Sequence, residues 1–380
     1  MKKYSLNFWL LSLSSFLFFG SFNMVLPELP AFMRTFGGEK FIGLHVTFFT
    51  LTALISRPFS GKLTDTWGRI PVMVFGAAVT AIVSVFYPFF LSIHAFLFIR
   101  LIHGFSTGFK PTGTAAYVAD IVPVNRRGEG MGILSFFGMT GMGIGNYVGG
   151  VIANYYPVDV LFYSSAIVAL LSVIVLIGMK ETVENKQQFS VNLLKIKKSD
   201  IYEPTVLVPS IVMMLVTFSF GTALTLAPDF SEYVGIGNKG LFFSYFTLTS
   251  LISRIVGGRL SDEFGRKAIL VVAMLIVAAG SVYTGFSNNA FNFLTGALIF
   301  GAGYGLSSPA LFAWAADLAP DQFRGRGFST LFMALEIGIG IGAFLAGQVY
   351  GGSPENFALA FSGCGGLAFL AFIYLLVSVK

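Results

Sequence analysis

Charge is scarce in this chain. Only 11% of its 380 residues are Asp, Glu, Lys or Arg, against about 25% in an ordinary soluble domain, which excludes a domain that covers itself with polar surface. Cysteine is scarcer: Cys364 stands alone in an apolar glycine-rich run, so no internal disulfide can form and a buried, inert thiol is expected. Three histidines and one cysteine offer no paired-Cys or clustered-His metal site. No G-x-x-x-x-G-K-[S/T] phosphate loop occurs, which argues against ATP as an energy source. No nucleophile–base or metal constellation stands out, so an enzyme is not expected and no cofactor is implied.

What is present is apolar. Hydrophobic residues make up 55% of the chain, with 43 Phe and 44 Gly, a balance suited to lipid-facing helices that also pack closely. The net charge of +6 therefore reports membrane topology rather than nucleic-acid binding. A spanning helix needs about 20 mostly apolar residues. Segments near 7–27, 41–60, 71–91, 95–118, 130–152 and 159–179 qualify, as do 206–228, 239–257, 268–287, 291–315, 328–350 and 357–378. The expected fold is thus all-α, with twelve transmembrane helices in two six-helix bundles, 1–180 and 206–380, joined by a linker at 181–205. Met1-Lys2-Lys3 before the first apolar run imitates a secretory signal, but no small-residue cleavage site follows; a retained first helix is expected.

Lys and Arg set the orientation. With both termini in the cytoplasm, seventeen of them fall inside, including Lys2, Lys3, Lys62, Arg126 and Lys380; only Arg34, Lys40 and Lys239 fall outside. Arg57, Arg100, Lys110 and Arg254 lie within spans. The linker carries charges of both signs and reads as a solvated tether; its stretch 189–196 reads alternatively as a short interfacial helix near anionic headgroups.

The chain is a duplication. Shifted by 197 positions, Phe49–Arg69 falls on Phe246–Arg266 with thirteen of 21 residues identical. The offset then carries Gly104 and Gly108 onto Gly301 and Gly305, Asp120 onto Asp317, and Arg127-Gly128 onto Arg324-Gly325. Each copy keeps a charged cassette, Gly61-x-Leu63-x-Asp65-x-x-Gly68-Arg69 and Gly258-x-Leu260-x-Asp262-x-x-Gly265-Arg266. Its glycines permit a sharp turn, and its acid at the membrane edge is tolerated only near cations or helix N-termini. Arg69 and Arg266 are the near cations. Asp120 and Asp317, closing spans four and ten, are further expected partners, followed by Arg127 and Arg324.

This G-x-L-x-D-x-x-G-R cassette between spans two and three, repeated between eight and nine, resembles that of the major facilitator superfamily. The resemblance covers essentially the whole chain and extends to its twelve-helix drug:proton antiporter and sugar efflux branch. It implies that the cassette acids and arginines, with Asp120, Arg127, Asp317 and Arg324, form a cytoplasmic gate. It implies a small-molecule cavity lined by spans one, four, seven and ten, with Asn23, His103, Lys110, Phe218, Tyr304 and Trp314 as candidates. Arg100-x-x-His103-Gly104 resembles the family's R-x-x-Q-G element, whose arginine is associated with proton coupling. The glycines Gly141, Gly145, Gly149 and Gly150 resemble the exporter element of span five, with Asn146 where that element has proline. Small residues four apart allow close helix packing, expected here against span eight.

Three acids complete the candidates. Glu336 is the only acid inside span eleven, at a depth that permits a pair with Lys110 or with a local partner. Glu28 and Asp229, each after a proline, read as interfacial caps or as outer-gate acids; Glu28 joins Arg100 and Glu336 as a coupling candidate. The expected function is secondary transport in the plasma membrane by a monomer. Proton-coupled efflux of an amphipathic compound leads, a metabolite or sugar uniporter or symporter is the alternative, and a non-transporting receptor stands behind both.

Overall fold

The computed structural model describes residues 4–37, 44–236, 241–351 and 353–378. Lys2, Lys3, Lys40, Lys239 and Lys380 of the charge tally lie outside them. Among the described residues twelve long helices follow one another: α1 (Leu6–Val25), α2 (Leu44–Thr66), α3 (Arg69–Phe86), α4 (Ile93–Ile121), α5 (Arg127–Tyr155), α6 (Val158–Ile177), α7 (Leu207–Tyr233), α8 (Leu241–Phe264), α9 (Arg266–Gly285), α10 (Ala290–Leu318), α11 (Arg324–Tyr350) and α12 (Phe357–Ser378). They form an all-α multi-pass membrane protein. Among the described residues nine of these helices are long and apolar enough to cross a bilayer unaided. The other three are α2, α4 and α5, which carry Arg57, Arg100, Lys110 and runs of glycine. In α4 these polar groups are buried with most of the helix, so protein rather than lipid surrounds them.

Local chemistry sets several ends. Ser5 caps α1 and Ser92 caps α4, each side chain accepting a backbone N–H of the first turn. Pro27 follows the end of α1, where the chain tightens into a 3-10 turn at Leu26–Glu28; its counterpart Pro228 stands inside α7, which continues to Tyr233. Gly68 and Gly265 precede α3 and α9 at φ 135° and 90°, a backbone that L side chains rarely adopt.

The chain forms two compact units. The first comprises Met1–Pro123, Leu134–Glu203 and Ala319–Ser329; the second comprises Val124–Ile133, Pro204–Leu318 and Thr330–Lys380. In the first, α4 packs on α2 and α3, and α6 on α1 and α3. In the second, α10 packs on α8 and α9, and α12 on α7 and α9. The sequence duplication is therefore a duplication of packing. Each unit also holds a short piece of the other sequence half, the start of α11 in the first and the start of α5 in the second.

The span-five glycines contradict one expectation. An added Cβ at Gly141, Gly145 or Gly149 would lie 2.2, 2.2 and 2.1 Å from the carbonyl oxygens of Phe16, Gly20 and Met24, so these residues bring α5 onto α1, not α8. The glycines that meet α8 come earlier in α5: Gly128 approaches the Gly258 carbonyl and Gly132 that of Arg254. Gly150 has open space beside it. The reason is geometric, since a helix of 29 residues presents its first turn and its middle to different neighbours. Asn146 is exposed on the unbroken α5.

Candidate functional site

Each cassette sits at the junction of two helices and serves as an anion for a third. In the first unit Asp65 accepts hydrogen bonds from the backbone N–H groups of Gly325 (2.6 Å) and Arg326 (2.9 Å), at the first turn of α11. Arg69 Nη1 reaches the same carboxylate at 2.8 Å, and Arg69 Nε reaches Asp120 at 3.1 Å. Asp120 in turn pairs with Arg324. In the second unit Asp262 accepts from the N–H groups of Gly128 (2.9 Å) and Glu129 (2.8 Å), at the first turn of α5. Arg266 pairs with Asp262 and lies 3.0 Å from Asp317, which Arg127 meets at 2.9 Å. A carboxylate at a helix N-terminus gains from the exposed N–H groups and the aligned peptide dipoles. The eight charged gating candidates named from sequence thus enter two matching networks, while Gly61, Gly68, Gly258 and Gly265 contribute backbone only. The pairing is crossed in part: Arg324 serves Asp120 and Arg127 serves Asp317, while Arg69 and Arg266 stay with the acids of their own sequence halves.

The linker is docked at several points, although most of its residues stay exposed. Glu181 caps α3, its oxygens accepting the N–H of Arg69 at 3.1 Å and of Ile70 at 3.0 Å. Thr182 donates to Asp120 at 2.5 Å, Gln187 N–H to the Thr66 carbonyl at 2.7 Å, and Lys62 pairs with Asp200 at 2.9 Å. Arg326 Nε donates to Glu203 at 2.9 Å. Leu193 is buried against Leu63, Val72 and Phe109. The stretch 189–196 forms one 3-10 turn at Val191–Leu194 on this surface instead of a helix of its own. Opposite charges in the linker marked it as solvated, yet its acids match cations on α2 and α11 that only the fold brings near.

A second polar cluster lies in the middle of the first unit. Arg100 is buried; its Nε donates to the His45 carbonyl at 3.1 Å and its Nη1 to the Tyr87 hydroxyl at 3.0 Å. Tyr87 and Arg100 both meet His103 Nδ1, at 2.7 and 3.2 Å. The guanidinium stands 4.6 Å above the Phe49 ring, and Phe22 and Phe49 each approach the imidazole edge-on at 5.5 Å. Tyr87, Phe22 and Phe49 were not singled out from sequence; Tyr87 lies 13 positions from Arg100 across a helix break, which no spacing rule connects. Lys110 is buried further along α4, with its ammonium 4.8 Å from the Phe18 ring centre.

The remaining candidates scatter. Asn23 is buried and donates to the Phe19 carbonyl of its own helix at 2.9 Å. Glu28 is half-buried on its 3-10 turn, and Glu336 is half-buried on α11. In the second unit Tyr304 stacks on Phe220 at 5.1 Å and neighbours Phe246 and Phe300, while Arg254 lies 5.9 Å above its ring. Phe220 belongs to this aromatic cluster, while the Phe218 carbonyl lies against Gly342 of α11. Trp314 is buried on α10, and buried Cys364 donates to the Phe361 carbonyl at 3.1 Å.

Repeated six-helix halves in a membrane, each with a charge cassette locked onto a distant helix start, define a polytopic secondary transporter. The chain belongs to the Major Facilitator Superfamily, whose sequence profile matches residues 11–237 and again 209–380. Among curated relatives, Multidrug resistance protein 2 of Bacillus subtilis is 26% identical over 323 residues, covering 81% of this chain and 80% of that protein. Multidrug resistance protein MdtG of Serratia proteamaculans is 28% identical, covering 85% and 82%. Among solved structures, the human organic anion transporter MFSD10 superposes with a TM-score of 0.83 at 18% identity, covering 97% of this chain and 98% of that one. The proton:xylose symporter XylE gives 0.82 at 15% identity, covering 98% and 95%. At such identities the structural likeness is one of fold.

Proposed function

We propose that this transporter is a proton-coupled exporter of small amphipathic molecules in the plasma membrane, with both termini cytoplasmic. The observation that carries the transport cycle is the pair of crossed networks. Asp65 and Asp262 each hold the start of a helix from the other sequence half, so these contacts are the ones to break and re-form during alternating access. Export is favoured by the names of the relatives, multidrug resistance proteins of similar length. Seventeen inside cations against three outside support the orientation.

Proton coupling falls to Glu336, with Arg100 and Glu28 as the other candidates. Glu336 is the one acid in the sequence of α11 and so the first residue to test. Inverted vesicles carrying the protein, with an imposed pH gradient, test this with a panel of cationic dyes, antibiotics, sugars and organic acids. Collapse of the gradient by one compound class, absent in Glu336→Gln, is the expected result. Transport with no proton movement would replace antiport by facilitated diffusion, the sugar or metabolite reading.

A further inference from the structure

The Arg100 cluster is absent from the repeat. At the 197-residue offset Tyr87, Arg100 and His103 become Thr284, Ala297 and Phe300, although the cassettes on either side are retained. The second unit folds with the same helix packing without them, so the fold does not require this group of three.

The cluster is also incomplete. Arg100 can only donate, so His103 Nδ1 must accept from it, and the imidazole proton then resides on Nε2. His103 Nε2 is buried without a hydrogen-bond partner, and so is Arg100 Nη2. Among the described residues the partners of Arg100 are a carbonyl, a hydroxyl, an imidazole and an aromatic face, with no carboxylate. Two sealed donors beside one uncompensated positive charge are a site short of an acceptor that carries negative charge.

We propose that Arg100 and His103 form the receptor for the carboxylate of an organic acid. Arg100 Nη2 and His103 Nε2–H donate to its oxygens, Tyr87 fixes the imidazole, and Phe22 and Phe49 flank the apolar body of the ligand. One positive charge and two free donors match a single carboxylate better than a doubly charged phosphate with three acceptor oxygens. Access requires the Phe22 or Phe49 ring to swing aside, because both orphan atoms are closed from solvent. The inference rests on the transporter reading and narrows its substrate class, giving Arg100 the substrate anion rather than the proton.

The test uses the full-length protein in lipid nanodiscs and two probes with one ring system, 2-naphthoate and 2-naphthylmethylamine, with acetate, benzoate and octanoate alongside. Saturable binding of naphthoate but not of the amine is expected. Arg100→Lys keeps the charge but loses the fork, and His103→Phe installs the residue of the repeat. Each should weaken naphthoate binding by about tenfold or more, the worth of one charge-assisted hydrogen bond, and Arg100→Met should abolish it. Thermal unfolding of each variant separates lost binding from lost fold, and His103→Gln, which keeps a donor, should retain more affinity than His103→Phe. Equal binding of the amine, unchanged binding in folded Arg100→Lys and His103→Phe, or no saturable binding of any of the four acids overturns the proposal. Dye-driven proton flux in vesicles reports on the transporter reading separately. Flux without acid binding sinks only the receptor; Arg100-dependent binding without flux of any compound sinks only the transport cycle.

Discussion

Arg127 and Asp317 stand 190 positions apart in the chain and meet at 2.9 Å. The 197-residue offset makes Arg127 the twin of Arg324 and Asp317 the twin of Asp120, so a simple duplication would leave each arginine with the acid of its own half. The fold exchanges them. Arg324 binds Asp120, Arg127 binds Asp317, and the two helix starts that carry the arginines cluster with the opposite unit. A charge pattern kept twice thereby yields two reciprocal pairs.

The acids of these networks should matter more than their outer arginines. Asp317 serves both Arg127 and Arg266, at 2.9 and 3.0 Å. Asp317→Ala takes this anion from Arg127 and leaves Arg266 with Asp262 alone, whereas Arg127→Ala leaves Asp317 paired with Arg266. Breaking a fully buried pair costs about 3–5 kcal/mol. Asp317 is one-quarter exposed, which scales the loss for Asp317→Ala to about 2 kcal/mol, with about 1 for Arg127→Ala. Thermal unfolding in one detergent ranks the two, and the reverse order would refute the shared-acid geometry.

The membrane class, the twelve helices, the duplication and the membership of both charge networks were legible from composition and internal alignment. The crossed pairing was not, because an offset identifies equivalent residues and is silent on which of them touch. Glu181 capping α3 was hidden for the same reason, since it lies 112 positions from Arg69. The destination of Gly141, Gly145 and Gly149 depended on which neighbour the middle of α5 faces, and spacing states only that something comes close. Cys364 was foreseen correctly because burial of a lone thiol in an apolar run needs no partner.

Gly68 and Gly265 hold equivalent places and should respond unequally to alanine. Both stand in a backbone region nearly closed to side chains, at φ 135° and 90°, which costs about 1–3 kcal/mol for alanine. At Gly265 an added Cβ meets nothing within 4 Å; at Gly68 it lies 2.5 Å from a Glu181 carboxylate oxygen. Gly68→Ala therefore also displaces the cap of α3, adding about 1 kcal/mol. Glu181→Ala should remove that extra cost, so the double variant loses less than the sum of the singles. Strict additivity in melting experiments would show that the cap and the turn are independent.

The linker should detach in acid through Asp200. Burial acts to raise this carboxyl, but the Lys197 backbone N–H and the Lys62 ammonium outweigh it and hold it below its ordinary range. The docked value is thus the depressed one. Docking is complete above the free carboxyl value of about 3.9 and is lost as pH falls through the lower docked value, so neutral pH leaves it intact. Trp67, whose ring lies 5.2 Å from that of Phe189, reports release by its fluorescence once Trp9 and Trp314 are replaced by Phe. Asp200→Asn should remove the acid transition; an unchanged transition in that variant would assign it to another group.

Two alanine substitutions in one helix should have opposite signs. At Gly145 a Cβ would sit 2.2 Å from the Gly20 carbonyl oxygen and 2.9 Å from its carbonyl carbon, both rigid backbone of α1. Relief requires α1 and α5 to part along the whole Gly141–Gly149 stripe, and overpacking of this kind costs about 1–3 kcal/mol. At Gly150, on another face of α5, nothing lies within 4 Å, so Gly150→Ala meets no obstacle and gains up to about 1 kcal/mol of helix propensity. Because both changes add the same methyl group to the same helix, hydrophobicity and expression effects largely cancel in the comparison. Melting temperatures that fall for Gly145→Ala and hold or rise for Gly150→Ala would fix the face of α5 that meets α1. A rise for both would mean that α1 and α5 do not touch at Gly145.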